Sequence, residues 1–344
     1  MGEIWFWLLA GMLAVYAVLD GFDFGVGILH LWLGKTPAER GTILRSVGPV
    51  WDGNEVWLVA AGGTLFAAFP LLYATAFSGF YLPLMIVLWL LLFRALGIEL
   101  RHQLDNELWH QAWDVAFALS SGLLALFLGA ALGNLVRGLP LDERGRFFEP
   151  LWTDFRVGEV TGILDWYTLL VGVTATAALT LHGALWLTYK VSGELGARAR
   201  ESAKRLWPIV LLLALVTTLA SAAVQPQLLE NAQRWPLGLI LPVGAFSGLV
   251  AARLQLGRAP GRAFCASGLF IAGLVLSAAF AMFPHVLPAR VPGRELTIAA
   301  AAADSGTTAR MLWWWVPGIA LAVGYSFYMY GRLPRSFSVS DGEH

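Results

Sequence analysis

Runs of about 20 apolar residues, the length at which a helix crosses the hydrocarbon core of a bilayer, recur along almost the whole of this chain. Little else constrains a fold so tightly. In lipid every backbone polar group must be satisfied internally, which leaves only helices and closed barrels, and no alternating strand pattern is present. We read nine spans, at 4–33, 50–72, 74–100, 112–136, 160–189, 206–228, 236–254, 262–287 and 311–331. A tight turn near Pro70-Leu71-Leu72-Tyr73 joins the second to the third, and Pro242 interrupts the short seventh. Composition agrees. A soluble domain is about a quarter charged, whereas only 13% of these residues are charged and mean hydropathy is +0.66. The expected fold class is all-α: a polytopic transmembrane helical bundle, with 1–344 forming a single integral membrane domain. The start, Met-Gly-Glu-Ile-Trp, has no basic n-region and no A-x-A site, so the first apolar run reads as a retained span.

Orientation follows from the basic residues, which collect on the cytoplasmic side of membrane proteins. Lys35, Arg40, Arg45, Arg198, Arg200, Lys204 and Arg205 fall on one side of the nine-span arrangement. The smaller set, including Arg137, Arg144, Arg146 and Arg290, falls on the other. The N-terminus is therefore expected outside and the C-terminus in the cytoplasm. Sixteen Trp are present. Trp5, Trp7 and the run Trp313-Trp314-Trp315 are expected in an outer interfacial belt. The 137–159 loop, with Asp142, Glu143, Arg144, Arg146, Glu149 and Asp154, reads as solvated or as a docking surface. The single cysteine, Cys265, excludes an internal disulfide and reads as a small buried hydrophobe.

Charge inside a bilayer is costly and marks function by default. Asp20 and Asp23 are three apart in span one and share a helix face. Asp23 lies ten residues before Leu33, roughly 15 Å below the cytoplasmic end. Span two opens Trp51-Asp52-Gly53-Asn54-Glu55. Acids in a first helical turn suit the helix dipole, so Asp52 and Glu55 could be ordinary first-turn acids, but with Asn54 they also form a polar set fit for proton conduction. Arg94 lies about two turns before the end of span three, where burial demands a carboxylate partner and snorkelling to the headgroups is the alternative. Glu99 follows it, and Trp113-Asp114 opens span four on the same side. Asp20, Asp23, Asp52, Glu55, Arg94, Glu99 and Asp114 are thus expected in the cytoplasmic half, drawn from four helices. That clustering describes a proton entry or a buried cation site.

Among the histidines, His30, His182 and His285 lie in or near spans, while His102, His110 and His344 fall in loops or the tail. No pair matches in depth as axial haem ligands would, so polar helix–helix contacts are expected. No CxxCH, Walker A, GxGxxG or HExxH motif occurs, no metal site is read, and nothing points to nucleic acid.

LDGFDFGVG at 19–27, GPVWDGNEVWL at 48–58, FAAFPLLYATAFSGFYLPLMIVL at 66–88, Phe93-Arg94 with Glu99, and MFPHVLP at 282–288 resemble subunit II of cytochrome bd-type quinol oxidases. The resemblance runs from the first span to the ninth and is densest in the first 114 residues. It implies a haem-free subunit, not catalytic alone, paired with a haem-bearing subunit I that carries two b-type haems and one d-type haem. It implies a complex in a bacterial cytoplasmic (inner) membrane that oxidises quinol and reduces dioxygen to water. Such a complex is electrogenic without pumping, because it draws its protons from the cytoplasm. Asp52 matches the family's proton-route aspartate. Asp23 and Asp114 match residues of a cation-binding or polar interface cluster, and Arg94 matches the family's arginine. Some members bind a quinone structurally in this subunit, and some carry a small single-helix third subunit. The segment near 229–235 is short for the family. Two other readings of the same acids are a cation-coupled secondary transporter, against which the lack of internal repeats speaks, and a purely structural assembly subunit.

Overall fold

A computed structural model describes residues 1–158 and 161–339. Thirteen helices account for most of these: α1 (Gly2–Leu33), α2 (Pro37–Val47), α3 (Trp51–Ala68), α4 (Pro70–Gly79), α5 (Tyr81–Leu100), α6 (Glu107–Arg137), α7 (Trp166–Lys190), α8 (Gly193–Val224), α9 (Gln227–Arg234), α10 (Ile240–Gln255), α11 (Pro260–Met282), α12 (Ile298–Ala301) and α13 (Ser305–Arg332). Glu159 and Val160, the predicted start of span five at 160, and His344 lie outside the described residues.

Seven of the helical segments are long and apolar enough to cross a membrane: α1, α5, α6, α7, α8, α10 with the 3-10 turn before it, and α11. The short seventh span of the sequence reading is among them. The second is bent. Pro70 supplies no amide hydrogen and keeps Phe69 out of helical geometry, at φ −134° and ψ 63°. The chain turns by 119° between α3 and α4. The predicted tight turn at 70–73 is therefore the first turn of a separate ten-residue helix. The ninth span corresponds to α13, which is 28 residues long. It is less apolar than those seven because Trp313-Trp314-Trp315, Pro317, Tyr325, Tyr328 and Tyr330 dilute its hydropathy.

Helix ends follow their local sequence. Thr36 caps α2 at the Glu39 amide while Glu39 accepts from the Lys35 amide, with Pro37 opening the helix. Asn106 caps α6 and Asp304 caps α13. Asp165 forms a full capping box with Thr168 at the start of α7. Helix α8 starts well before the predicted 206 because its charged first turns, from Gly193 to Arg205, continue the same helix beyond the apolar stretch.

The core gathers around α1, which packs on α3, α6, α7 and α11. At the α1–α7 crossing, Gly25 and Gly183 face each other so closely that a Cβ on either would run into the other helix's backbone. Gly25→Ala is expected to cost about 1–3 kcal/mol of overpacking, read as a lower melting temperature of the detergent-solubilised protein. An unchanged melting curve would show that the crossing is looser than described.

Several expectations are corrected. Two short antiparallel strands, β1 (His285–Leu287) and β2 (Leu296–Thr297), form where no strand was expected; segments of two or three residues are too short to show a period. Cys265 is exposed on this chain. Trp5 is fully buried and donates from Nε1 to the Thr308 carbonyl at 3.1 Å, whereas Trp313 and Trp314 are exposed. The segment near 229–235 is helix α9 rather than loop.

The 137–159 loop is likewise not simply solvated. Arg137 is buried, and it pairs with Asp165 and, at 2.6 Å, with Glu149. Thr161 donates to the same Glu149 oxygen at 2.5 Å. Arg290 donates to the Arg137 and Gly158 carbonyls, joining the hairpin segment to the loop. Burial pushes the Glu149 carboxyl above its ordinary value, with Arg137 and Thr161 opposing but not reversing the shift. A raised acid contributes most below its unfolded value, and the contribution fades as pH rises through the folded one. Hydrogen exchange in 138–158 is therefore expected to quicken as pH climbs through that window, after correction for intrinsic exchange. In Glu149→Gln this pH dependence should disappear, and an unaltered slope would contradict the assignment.

Candidate functional site: a buried ionic cluster at the start of α3

Three helices bring the predicted polar residues together. The i, i+3 spacing on α1 places Asp20 and Asp23 on one face, and both are fully buried. Arg94 reaches in from α5, also fully buried, so it does not snorkel. Its Nη1 bonds Asp20 Oδ1 at 2.5 Å and its Nη2 bonds Glu55 Oε2 at 3.1 Å. The guanidinium lies over the Phe24 ring, 4.8 Å from the centroid, a favourable cation–π arrangement for a buried cation. Asn54, next to Glu55 on α3, donates from Nδ2 to Asp23 Oδ2 at 2.8 Å. Tyr16 lies one turn before Asp20 and faces it. One oxygen each of Asp20 and Asp23 is left without a hydrogen-bond partner among the described residues.

Electrostatics define what such a site can do. Three carboxyl groups, Asp20, Asp23 and Glu55, face one guanidinium. A buried excess of negative charge is expensive, so the cluster must hold a proton or another positive charge. Glu55 is only partly buried and lies between the interior and Asp52, which is exposed and makes no ion pair or hydrogen bond among the described residues. Asp52 heads an exposed apolar stripe on α3 formed by Val56, Val59 and Phe66.

The other predicted members are elsewhere. Asp114 does not join Asp23 and Arg94; it has its own partners. His30 Nε2 lies 2.7 Å from its Oδ1, Arg101 Nε donates to the same oxygen at 2.6 Å, and Arg40 Nη1 reaches Oδ2 at 3.3 Å. Two arginines, Arg40 on α2 and Arg101 just past the end of α5, compensate this acid at the end of the bundle, so it has no need of Arg94. Arg94 itself contacts Asp20 and Glu55 rather than Asp23. Glu99 stands at the surface and accepts from Trp51 Nε1 at 3.1 Å. No three His, Cys, Asp or Glu side chains among the described residues converge as a metal shell. Sequence reasoning missed Tyr330, whose hydroxyl donates to Asn54 Oδ1 at 2.8 Å. A tyrosine 276 positions away carries no local signal of that contact.

The fold and the site define a helical membrane protein with a buried ion-pair cluster, and comparison with known proteins says to which family it belongs. The family profile of cytochrome bd terminal oxidase subunit II matches residues 1–332, and the chain belongs to that family. Subunit 2 of the cytochrome bd-I ubiquinol oxidase of Escherichia coli K12 is 34% identical over 321 residues, covering 83% of this chain and 81% of that protein. A probable cytochrome oxidase subunit 2 of Haemophilus influenzae is 32% identical over 366 residues, covering 97% and 95%. The solved bd oxidase of Geobacillus thermodenitrificans shares the fold with a TM-score of 0.74 over 96% of this chain and 97% of that one, at 19% identity.

Proposed function

We propose that this chain is the haem-free second subunit of a quinol:dioxygen oxidoreductase, and that its buried cluster forms part of the cytoplasmic proton pathway for reduction of dioxygen to water. The observation that carries the reading is the convergence of Asp20 and Glu55 on Arg94, with Asp23 beside them and tied to Asn54, and with Asp52 at the surface end. In this pathway Asp52 collects the proton and Glu55 receives it. Arg94 sets the field in which Asp20 and Asp23 accept and pass it on, and Asn54 holds Asp23. Asp114, with His30, Arg40 and Arg101, serves as a separate structural tie at the cytoplasmic edge.

The family implies haem in the complex. The buried histidines of this chain do not fit axial ligation. His182 is occupied at both nitrogens, by Ser267 and by the Val18 carbonyl, and His30 is tied to Asp114. Haems b and d accordingly belong to the partner, subunit I. The exposed face of α3, with an unpaired carboxyl above an apolar stripe, fits that partner better than lipid, where a lone carboxylate is costly. A cavity of about 370 Å³ between α1, α3, α5, α6 and α11 is lined almost wholly by apolar side chains. Its one polar side chain, Asn134, is engaged by Arg137 and two carbonyls. It suits a quinone's isoprenoid tail held structurally better than a reacting headgroup. The membrane is the bacterial inner membrane, crossed nine times when the bent α3–α4 pair and α13 are counted, with the N-terminus outside and the C-terminus in the cytoplasm.

Vesicles carrying the complex test the direction of proton uptake. Quinol-driven oxygen consumption should alkalinise the compartment faced by α2 and the charged start of α8. Uptake from the Glu149 side would overturn the reading.

A further inference from the structure

Helix α13 touches the rest of the chain sparingly: Thr308 is its one buried residue. Yet its last turns are fastened with care. Trp57 Nε1 donates to Ser326 at 3.4 Å, and Gly53 leaves room for the Tyr325 ring, which a Cβ would meet at 3.0 Å. The Tyr330 ring packs edge-on against Phe22 and Trp186, themselves stacked with centroids 4.4 Å apart. Beyond the helix the tail is strapped to the cytoplasmic ends of other helices. Lys190 Nζ donates to the Pro334 carbonyl at 2.9 Å, the Phe337 amide to the Lys190 carbonyl at 2.8 Å, and the Ser192 amide to the Phe337 carbonyl at 3.0 Å. Arg45 reaches the Ser338 carbonyl at 3.1 Å.

This strapping delivers one polar group to the interior. Tyr330 is half-buried and its hydroxyl meets Asn54, which is 1% exposed. An amide can present either end to a carboxylate. With the phenol donating to Asn54 Oδ1, the amide nitrogen is turned to Asp23 Oδ2; reversed, the amide oxygen would face the ionised Asp23 carboxylate, acceptor against acceptor. The charged groups that act on Asp23 are Asp20 on α1, Glu55 on α3 and Arg94 on α5. None of these hydrogen-bonds the Asn54 amide among the described residues; its side-chain partners are Asp23 and Tyr330, and Arg94 is committed to Asp20 and Glu55.

We infer that Tyr330 is a positioning residue for the proton route: acting through Asn54, and held by the C-terminal strap, it fixes the hydrogen bond that Asp23 accepts. The inference rests on the proposed pathway for its effect on turnover, but not for its effect on Asp23 itself. Loss of one such hydrogen bond is worth about 1 kcal/mol, so turnover of Tyr330→Phe should fall about three- to tenfold.

The test is infrared difference spectroscopy on the purified complex, with the Asp23 carboxyl or carboxylate band assigned by its loss in Asp23→Asn. In Tyr330→Phe, which keeps the ring and its packing, that band should move. An Asp23 band unmoved in Tyr330→Phe overturns the inference, whatever happens to turnover. A moved band with Asp23→Asn respiring at the native rate leaves the positioning role standing and removes Asp23 from the pathway. Lys190→Ala, which loosens the strap without touching the cluster, should move the same band by a smaller amount, and supplies the readout if Tyr330→Phe does not assemble.

Discussion

Replacing Arg94 with Leu is expected to abolish the complex rather than slow it. The guanidinium is fully buried and compensates Asp20 and Glu55 directly. Removing one member of a buried ion pair leaves an uncompensated charge and costs about 3–5 kcal/mol, a large part of the stability of any fold. Haem recovered per copy of this chain should drop to background, and what chain remains should melt early. The double variant Arg94→Leu with Asp20→Asn should recover part of the loss, because it removes a charge along with its partner. Arg94→Lys should recover less than charge alone suggests, since an ammonium cannot fork between two carboxylates as the guanidinium does. Normal haem content and melting in Arg94→Leu would show that the cluster is compensated from outside this chain.

The second large effect is kinetic. Asp52 is exposed, makes no ion pair here and caps no buried charge, so Asp52→Asn should leave assembly and haem content intact. Oxygen consumption should nevertheless fall by on the order of 100-fold, the range seen when a positioned proton-transfer group is removed. Haem lost from the partner would instead mark Asp52 as structural and favour the assembly-subunit reading. Native turnover with haem intact would place the proton entry elsewhere.

Much of this was legible in the sequence, and the physics says which parts. Apolar runs of bilayer length locate the long helices, because lipid admits only helices and closed barrels and the chain has no alternating strand pattern. The three-residue spacing of Asp20 and Asp23 put them on one face, and the cost of burying Arg94 implied a carboxylate partner. Three things were hidden. Hydropathy does not separate lipid-facing from protein-facing positions, so it predicts Cys265 buried and Trp5 interfacial, whereas Cys265 is exposed on this chain and Trp5 is buried. Pairing among several acids on one side of the membrane depends on depth and helix rotation, so Asp114 was grouped with Asp23 although His30, Arg101 and Arg40 hold it. Contacts between distant segments leave no local trace: the Arg137–Glu149–Asp165 knot looked like a charged loop, and Tyr330 looked like one more aromatic in the last span.

The most direct measurement is an optical spectrum with an oxygen-consumption assay on material purified through a tag on this chain. The account predicts that haem absorbance and quinol-driven oxygen uptake co-purify with it. A chain that purifies alone, colourless and stable, would contradict the account and direct attention to cation transport.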